Sequence, residues 1–174
     1  MLPCASMSVA PLLFVVLAAC HDLSAVPILA GEHCAPARDE DVACTLDGDT
    51  FQVGTCGGES VRLLGVAAPE IAHNESEVDE CWGPEAAAWL TDRLAGQTVR
   101  LEFDAVCTDT YERTLAYAWI LEDDGTEVLL NEEIVAEGQA RVYADFDDIR
   151  LRDKLYAAQA AAVSANKGLW AVCE

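Results

Sequence analysis

Six cysteines, Cys34, Cys44, Cys56, Cys81, Cys107 and Cys173, are spread along the chain behind an apolar leader, and they constrain its fold more than any other feature. Each pair that joins ties together segments far apart in sequence. Metal binding is the other use of such residues, but no CxxC occurs and no histidine lies close in sequence to two of them. Three disulfides are therefore expected, with a connectivity that counting does not resolve. Disulfides imply an oxidising compartment, and the first residues agree. The opening nineteen positions carry no charge, and Pro11 to Ala19 form an apolar run suited to the h-region of a signal peptide and too short to span a bilayer as a folded helix.

Leu17-Ala-Ala-Cys20 resembles the lipobox of bacterial lipoproteins, which makes Cys20 the expected site of lipidation and membrane attachment. The n-region departs from that pattern in lacking Lys or Arg, and an ordinary cleaved signal on a secreted protein is the other reading. Both export the chain, as a periplasmic or cell-surface membrane lipoprotein or as a secreted protein. The expected organisation is a signal peptide over 1–19, a tether over 20–40 and one domain over 41–174, monomeric. A hydrophobic fraction of 52% in 174 residues is enough to build a single core. The formal charge of -21, with 31 Asp plus Glu against 10 Lys plus Arg, repels polyanions at long range.

From Asp41 onward, Val42 to Leu46 and Thr50 to Val53 are β-prone segments joined by Asp47-Gly48, a dipeptide that suggests a hairpin turn with positive φ. Ser60 to Val66 makes a third strand, with Arg62 and Leu64 on one face and Val61 and Leu63 on the other. A polar loop runs from Glu70 to Cys81, long enough to suggest a functional rim. Gly83-Pro84-Glu85 opens a helix with Ala87, Leu90 and Leu94 at buried-face spacing, and Gly96 ends it. Thr98 to Phe103 and Thr114 to Leu121 are further strands. Val128 to Glu137 and Ile149 to Asn166 are read as helices. Three strands, a helix, two strands and two helices describe an α+β protein, a five-stranded OB-fold β-barrel with three helices in the order βββαββαα.

Asp47-Gly-Asp-Thr50, Val61-Arg-Leu-Leu-Gly-Val66 with Pro69-Glu70, Trp82-Gly-Pro-Glu-Ala86, Asp109-Thr-Tyr-Glu-Arg-Thr-Leu-Ala-Tyr117 and Gly168-Leu-Trp170 together resemble the thermonuclease family typified by staphylococcal nuclease. The resemblance runs from about Asp41 to Trp170. It implies hydrolysis of phosphodiesters in DNA or RNA, leaving 3′-phosphate ends, with Ca²⁺ as cofactor. The chemistry wants cationic side chains for the charge that builds on phosphorus oxygens and a base to orient water. The resemblance implies Arg62, Glu70 and Arg113 as catalytic residues. It implies Asp49, the Ala68 backbone carbonyl and Glu70, the last through a water molecule, as the metal site, and Tyr111 as a substrate-binding residue. Singly each has a plainer reading: Asp49 as a turn cap, Arg62 as a solvated strand residue, Glu70 as one acid among many, Arg113 as the ion-pair partner of Glu112 or Asp109.

Two positions leave the family pattern. Ala67 stands where the family has a second carboxylate on Ca²⁺, so a weakened metal site is expected; an enzyme that uses a different metal, or a neighbouring acid such as Glu75 or Glu77 as a substitute ligand, is a third reading. Glu112 stands where the family usually has glycine, placing an anion beside Arg113 and straining a turn. His73, in the Glu70 loop, is either a metal ligand or general base or simply solvated. Cys81 and Cys107 are expected to pair and to brace that loop. The rival reading is an OB-fold binding module that kept the architecture and lost catalysis.

Overall fold

The structure is a computed structural model that describes residues 33–72, 74, 76–145 and 148–173. The leader, Cys20, His73 and Glu75 lie outside the described residues.

The elements in chain order are β1 (Arg38–Thr45), β2 (Thr50–Val53), β3 (Glu59–Leu63), β4 (Val66–Ala67), α1 (Gly83–Leu94), β5 (Thr98–Glu102), β6 (Thr114–Leu121), β7 (Glu127–Leu129), α2 (Leu130–Ala136), β8 (Arg141–Val142), α3 (Arg152–Ser164) and α4 (Leu169–Val172). Strand β1 pairs antiparallel with β2 on one side and with β5 on the other, β2 continues to β3, and β5 continues to β6. The start of β6 then runs parallel to β3, with Val61 opposite Thr114 and Leu63 opposite Ala116. That seam closes β3-β2-β1-β5-β6 into a five-stranded barrel, the OB-type α+β architecture expected from the order of elements.

Alternation along the strands fills the barrel: Phe51, Val53, Val61, Leu63, Val99, Leu101 and Ile120 are buried in one cluster with Leu90 and Leu94 of α1 and Ile134 of α2. Asn131 of α2, fully buried, ties the helix to the seam. Its Oδ1 accepts from the Ala118 N–H (2.9 Å), and its Nδ2 donates to the carbonyls of Leu64 (2.9 Å) and Ala116 (3.2 Å). A satisfied amide at such a point fixes one helix position where an apolar contact would allow several.

Several elements differ from expectation. Strand β1 begins at Arg38, because residues 38–41 pair with β5, so the fold reaches into the segment expected as tether. The third strand breaks at Gly65 (φ 77°), and the residues after it form β4, which pairs with β8 in a small separate ladder. Glu127–Leu129 is a strand along β6 before α2, because the β-branched and apolar residues there find an open edge of the sheet. Helix α3 starts at Arg152. The expected Cys81–Cys107 pair is absent: Cys107 joins Cys34, Cys81 joins Cys173 and Cys44 joins Cys56. Both cysteines of the expected pair do lie beside the cleft described next, but each is fastened to a terminal segment of the domain.

Candidate active site

Three chain segments converge at one end of the barrel and enclose a cleft of about 650 Å³. The first is the run from Arg62 through Ala67 and Ala68 to Glu70, the second is the loop Thr108–Arg113, and the third is Tyr143 to Asp145 after β8. The third segment is seated by the β4–β8 ladder, in which Ala67 faces Arg141, and by the Tyr143 N–H donating to the Gly65 carbonyl (3.0 Å).

The β1–β2 turn underlies the floor of the cleft, and its glycine is required by close packing. Gly48 does not adopt the positive φ expected of it. A Cβ there would stand 2.6 Å from that of Ala68 and 2.9 Å from that of Ala86, so only glycine lets the turn press against the Ala67–Ala68 segment. Asp49 is thereby carried inside, 3% exposed. Its Oδ1 accepts from the Thr50 hydroxyl (3.0 Å) and forms an ion pair with Arg62 Nη1, while its Oδ2 accepts from the Ala68 N–H (2.7 Å). Asp47 accepts the Asp49 N–H (2.9 Å), and burial pushes its carboxyl above the ordinary range against the opposing pull of Arg62 and of hydrogen bonds from Thr50. Burial and the neighbouring Arg113 pull Arg62 down to about 10, with Asp47, Glu70 and Asp109 working the other way. It remains a cation at neutral pH.

Arg113 is held on the opposite wall by Asp109, whose Oδ2 lies 2.8 Å from both Nε and Nη2 and whose Oδ1 accepts the main-chain N–H groups of Tyr111 (2.9 Å) and Arg113 (3.0 Å). Burial opposes the charge on Asp109, but these donors outweigh it and hold the carboxyl below its usual value. The guanidinium lies 5.4 Å from the centre of the Tyr111 ring. Glu112 stands at φ 63°, in the left-handed region that favours glycine, as its departure from the family pattern led one to expect. Tyr111 is 79% exposed, its ring free of the core.

Glu70 is exposed at the rim, on a backbone pinned on both sides. Its N–H donates to Glu80 Oε2 (3.1 Å) and its carbonyl accepts the Glu80 N–H (2.9 Å). A Cβ on Gly83 would come within 2.4 Å of that same carbonyl, so the start of α1 also packs directly on Glu70. The adjoining Cys81–Cys173 disulfide clamps this wall, as Cys34–Cys107 clamps the wall that leads to Arg113.

Arg62, Glu70, Tyr111, Arg113 and Ala68 therefore line one cleft, with Asp49 immediately beneath it. The segment that sequence reasoning missed is Tyr143 to Asp145; an aromatic residue six positions after the short helix, before an acidic turn, was the only available signal. The donor set is too thin to hold Ca²⁺ tightly. A hard dication asks for six or more oxygens, several charged. Both oxygens of Asp49 are engaged by protein donors, Ala67 contributes a methyl group, and Ala68 turns its N–H toward Asp49. Among the described residues no three Asp, Glu, His or Cys side chains gather as a metal site.

Residues 60–172 match the family described as Staphylococcal nuclease homologue. The chain is 33% identical over 142 residues to a thermonuclease of Staphylococcus hyicus, a match that covers 81% of this chain and 80% of that protein. It is 34% identical over 126 residues to a thermonuclease of Staphylococcus intermedius, covering 72% of this chain and 71% of the other. A fungal protein of Arthroderma otae, named Probable endonuclease LCL3, is 32% identical over 116 residues, which span 63% of this chain and 40% of that longer protein. The barrel topology agrees with these matches: the chain belongs to the staphylococcal nuclease family.

Proposed function

We propose that the protein is an exported nuclease that hydrolyses phosphodiester bonds of DNA or RNA and leaves 3′-phosphate ends. The observation that carries this is the opening of two guanidinium groups, Arg62 and Arg113, into one cleft that has Glu70 on its rim. Arg113 binds a phosphate oxygen and, with Arg62, stabilises the added negative charge as five oxygens surround phosphorus. Glu70 orients a water molecule and accepts its proton. The water oxygen bonds to phosphorus as the bond to the 5′ oxygen breaks, and the departing 5′ oxygen takes up a proton from solvent. Tyr111 offers its exposed ring to an adjoining base.

Ca²⁺, which the family generally uses, is expected to bind poorly here, since Asp49 already serves Arg62, Thr50 and Ala68. The same observation favours a second reading, a nucleic-acid or protein binding module that no longer cuts. Single-stranded DNA incubated with the disulfide-bonded domain across a Ca²⁺ titration separates them. Cutting that falls roughly 10²–10³-fold in Arg113→Ala supports the nuclease, whereas no cutting even at millimolar Ca²⁺ leaves only the binding module. Ala67→Asp should tighten Ca²⁺ binding, read by calorimetry. Export as a lipoprotein anchored through Cys20 is part of this proposal and is tested by radiolabelled fatty-acid incorporation that Cys20→Ala abolishes; the protein is proposed to act as a monomer.

A further inference from the structure

One wall of the cleft is not used by the phosphate chemistry. Val106, Tyr111 and Tyr143 are 57%, 79% and 38% exposed, and all three line the cleft. Large apolar side chains left open beside phosphate-binding cations suit the faces of unpaired bases. Asp145 stands on the same wall. Asp145 lines one cavity with Tyr143, Tyr111 and Arg62, so this carboxylate shares the cleft with the phosphate end, and its hydrogen bond with the Tyr143 hydroxyl raises that group above its ordinary value.

A carboxylate only accepts hydrogen bonds, and its two oxygens offer about four acceptor sites, so holding Tyr143 leaves others free. Facing a polyanion, such a group is unfavourable unless it meets donors. Guanine presents two adjacent N–H groups on one edge, and adenine and cytosine each present an amino group. Thymine and uracil present a single N–H between two carbonyl oxygens that a carboxylate repels. We propose that Asp145 selects the base bound beside the scissile phosphate, favouring guanine and disfavouring thymine and uracil. This rests on the nuclease reading and adds a specificity-determining residue to it.

The test is to digest a random-sequence single-stranded oligonucleotide pool with the wild-type protein, Asp145→Asn and Asp145→Ala, and to sequence the new ends. Guanine should exceed thymine at the position beside the cut by about tenfold in the wild type, as for other paired hydrogen bonds to a base edge. The preference should shrink in Asp145→Asn and flatten to within about twofold in Asp145→Ala, through a loss of cutting beside guanine that cutting beside thymine does not share. An unbiased wild-type profile overturns the inference, as does a guanine preference that survives Asp145→Ala. A loss of rate shared equally by all four bases also overturns it, because Asp145 would then only anchor Tyr143. Calorimetric titration with the four nucleoside 3′,5′-bisphosphates decides the matter if no strand is cut. Tighter guanosine binding that Asp145→Ala removes supports the selection while the nuclease reading fails, and equal or absent binding overturns it.

Discussion

Glu112 concentrates two costs at one residue. A side chain held at φ 63° is strained by about 1 kcal/mol relative to glycine, and its charge sits next in sequence to the arginine proposed to hold phosphate. Glu112→Gly should therefore raise the midpoint of thermal unfolding by a few degrees and lower KM for an oligonucleotide. An unchanged KM beside a raised midpoint would mean that the Glu112 charge is turned away from substrate. The turn at Gly48 is the converse case. There the backbone is ordinary and the missing Cβ is what matters, since it is the contact with Ala68 that puts Asp49 under Arg62.

Elements of this fold are held to the cleft by cross-links more than by helix or strand length. The Cys81–Cys173 disulfide closes a separation of 92 residues, and in the double variant Cys81→Ala, Cys173→Ala stability should fall by about 2–5 kcal/mol in denaturant unfolding. The rate of cutting should fall further than the folded fraction does, because Glu70 is pinned to Glu80 next to this bond. A second tie sits at the end of β5. Asp104, 8% exposed, accepts from the Tyr117 hydroxyl (2.8 Å), from the Ala105 N–H (2.8 Å) and from the Arg150 N–H (2.8 Å), joining β6 to the approach of α3. Burial raises its carboxyl, but those donors more than reverse the effect and hold it below the ordinary value in the folded chain. A depressed carboxylate stabilises the fold above its unfolded value and loses that contribution as pH falls through the folded one. The stability lead of the wild type over Asp104→Asn should thus be full near neutrality and shrink below about pH 4 in a pH series of urea melts.

At the scale of the molecule, charge and proposed substrate oppose each other. A formal charge of -21 accompanies a cleft proposed to take a polyanion, and Arg38, Arg93, Arg100, Arg150, Lys154 and Lys167 pair with carboxylates outside it. Proteins that bind nucleic acid through net positive charge lose affinity as salt rises. Here added salt screens a net repulsion, so KM should fall between ~0.05 and ~0.5 M KCl. A KM that climbs steadily would mean that local attraction by Arg62 and Arg113 dominates. The barrel itself was legible because alternation at Val61 and Leu63 and the helix signal at Gly83-Pro84 are local. The gathering of Arg62, Glu70, Tyr111 and Arg113 was legible through family spacing. What stayed hidden was decided by contacts across the fold: the partner of Cys81, the third cleft segment at Tyr143 and Asp145, and the committed state of Asp49.

The partner of Cys81 also carries a consequence in time. A chain made from its N-terminus can close Cys44–Cys56 early and Cys34–Cys107 later, but Cys81 waits for Cys173, the most C-terminal of the six. The rim that bears Glu70 is consequently the last part of the cleft to be locked, and only where thiols are oxidised. If the protein is exported as proposed, this rim would stay unlocked until the chain reaches the oxidising compartment.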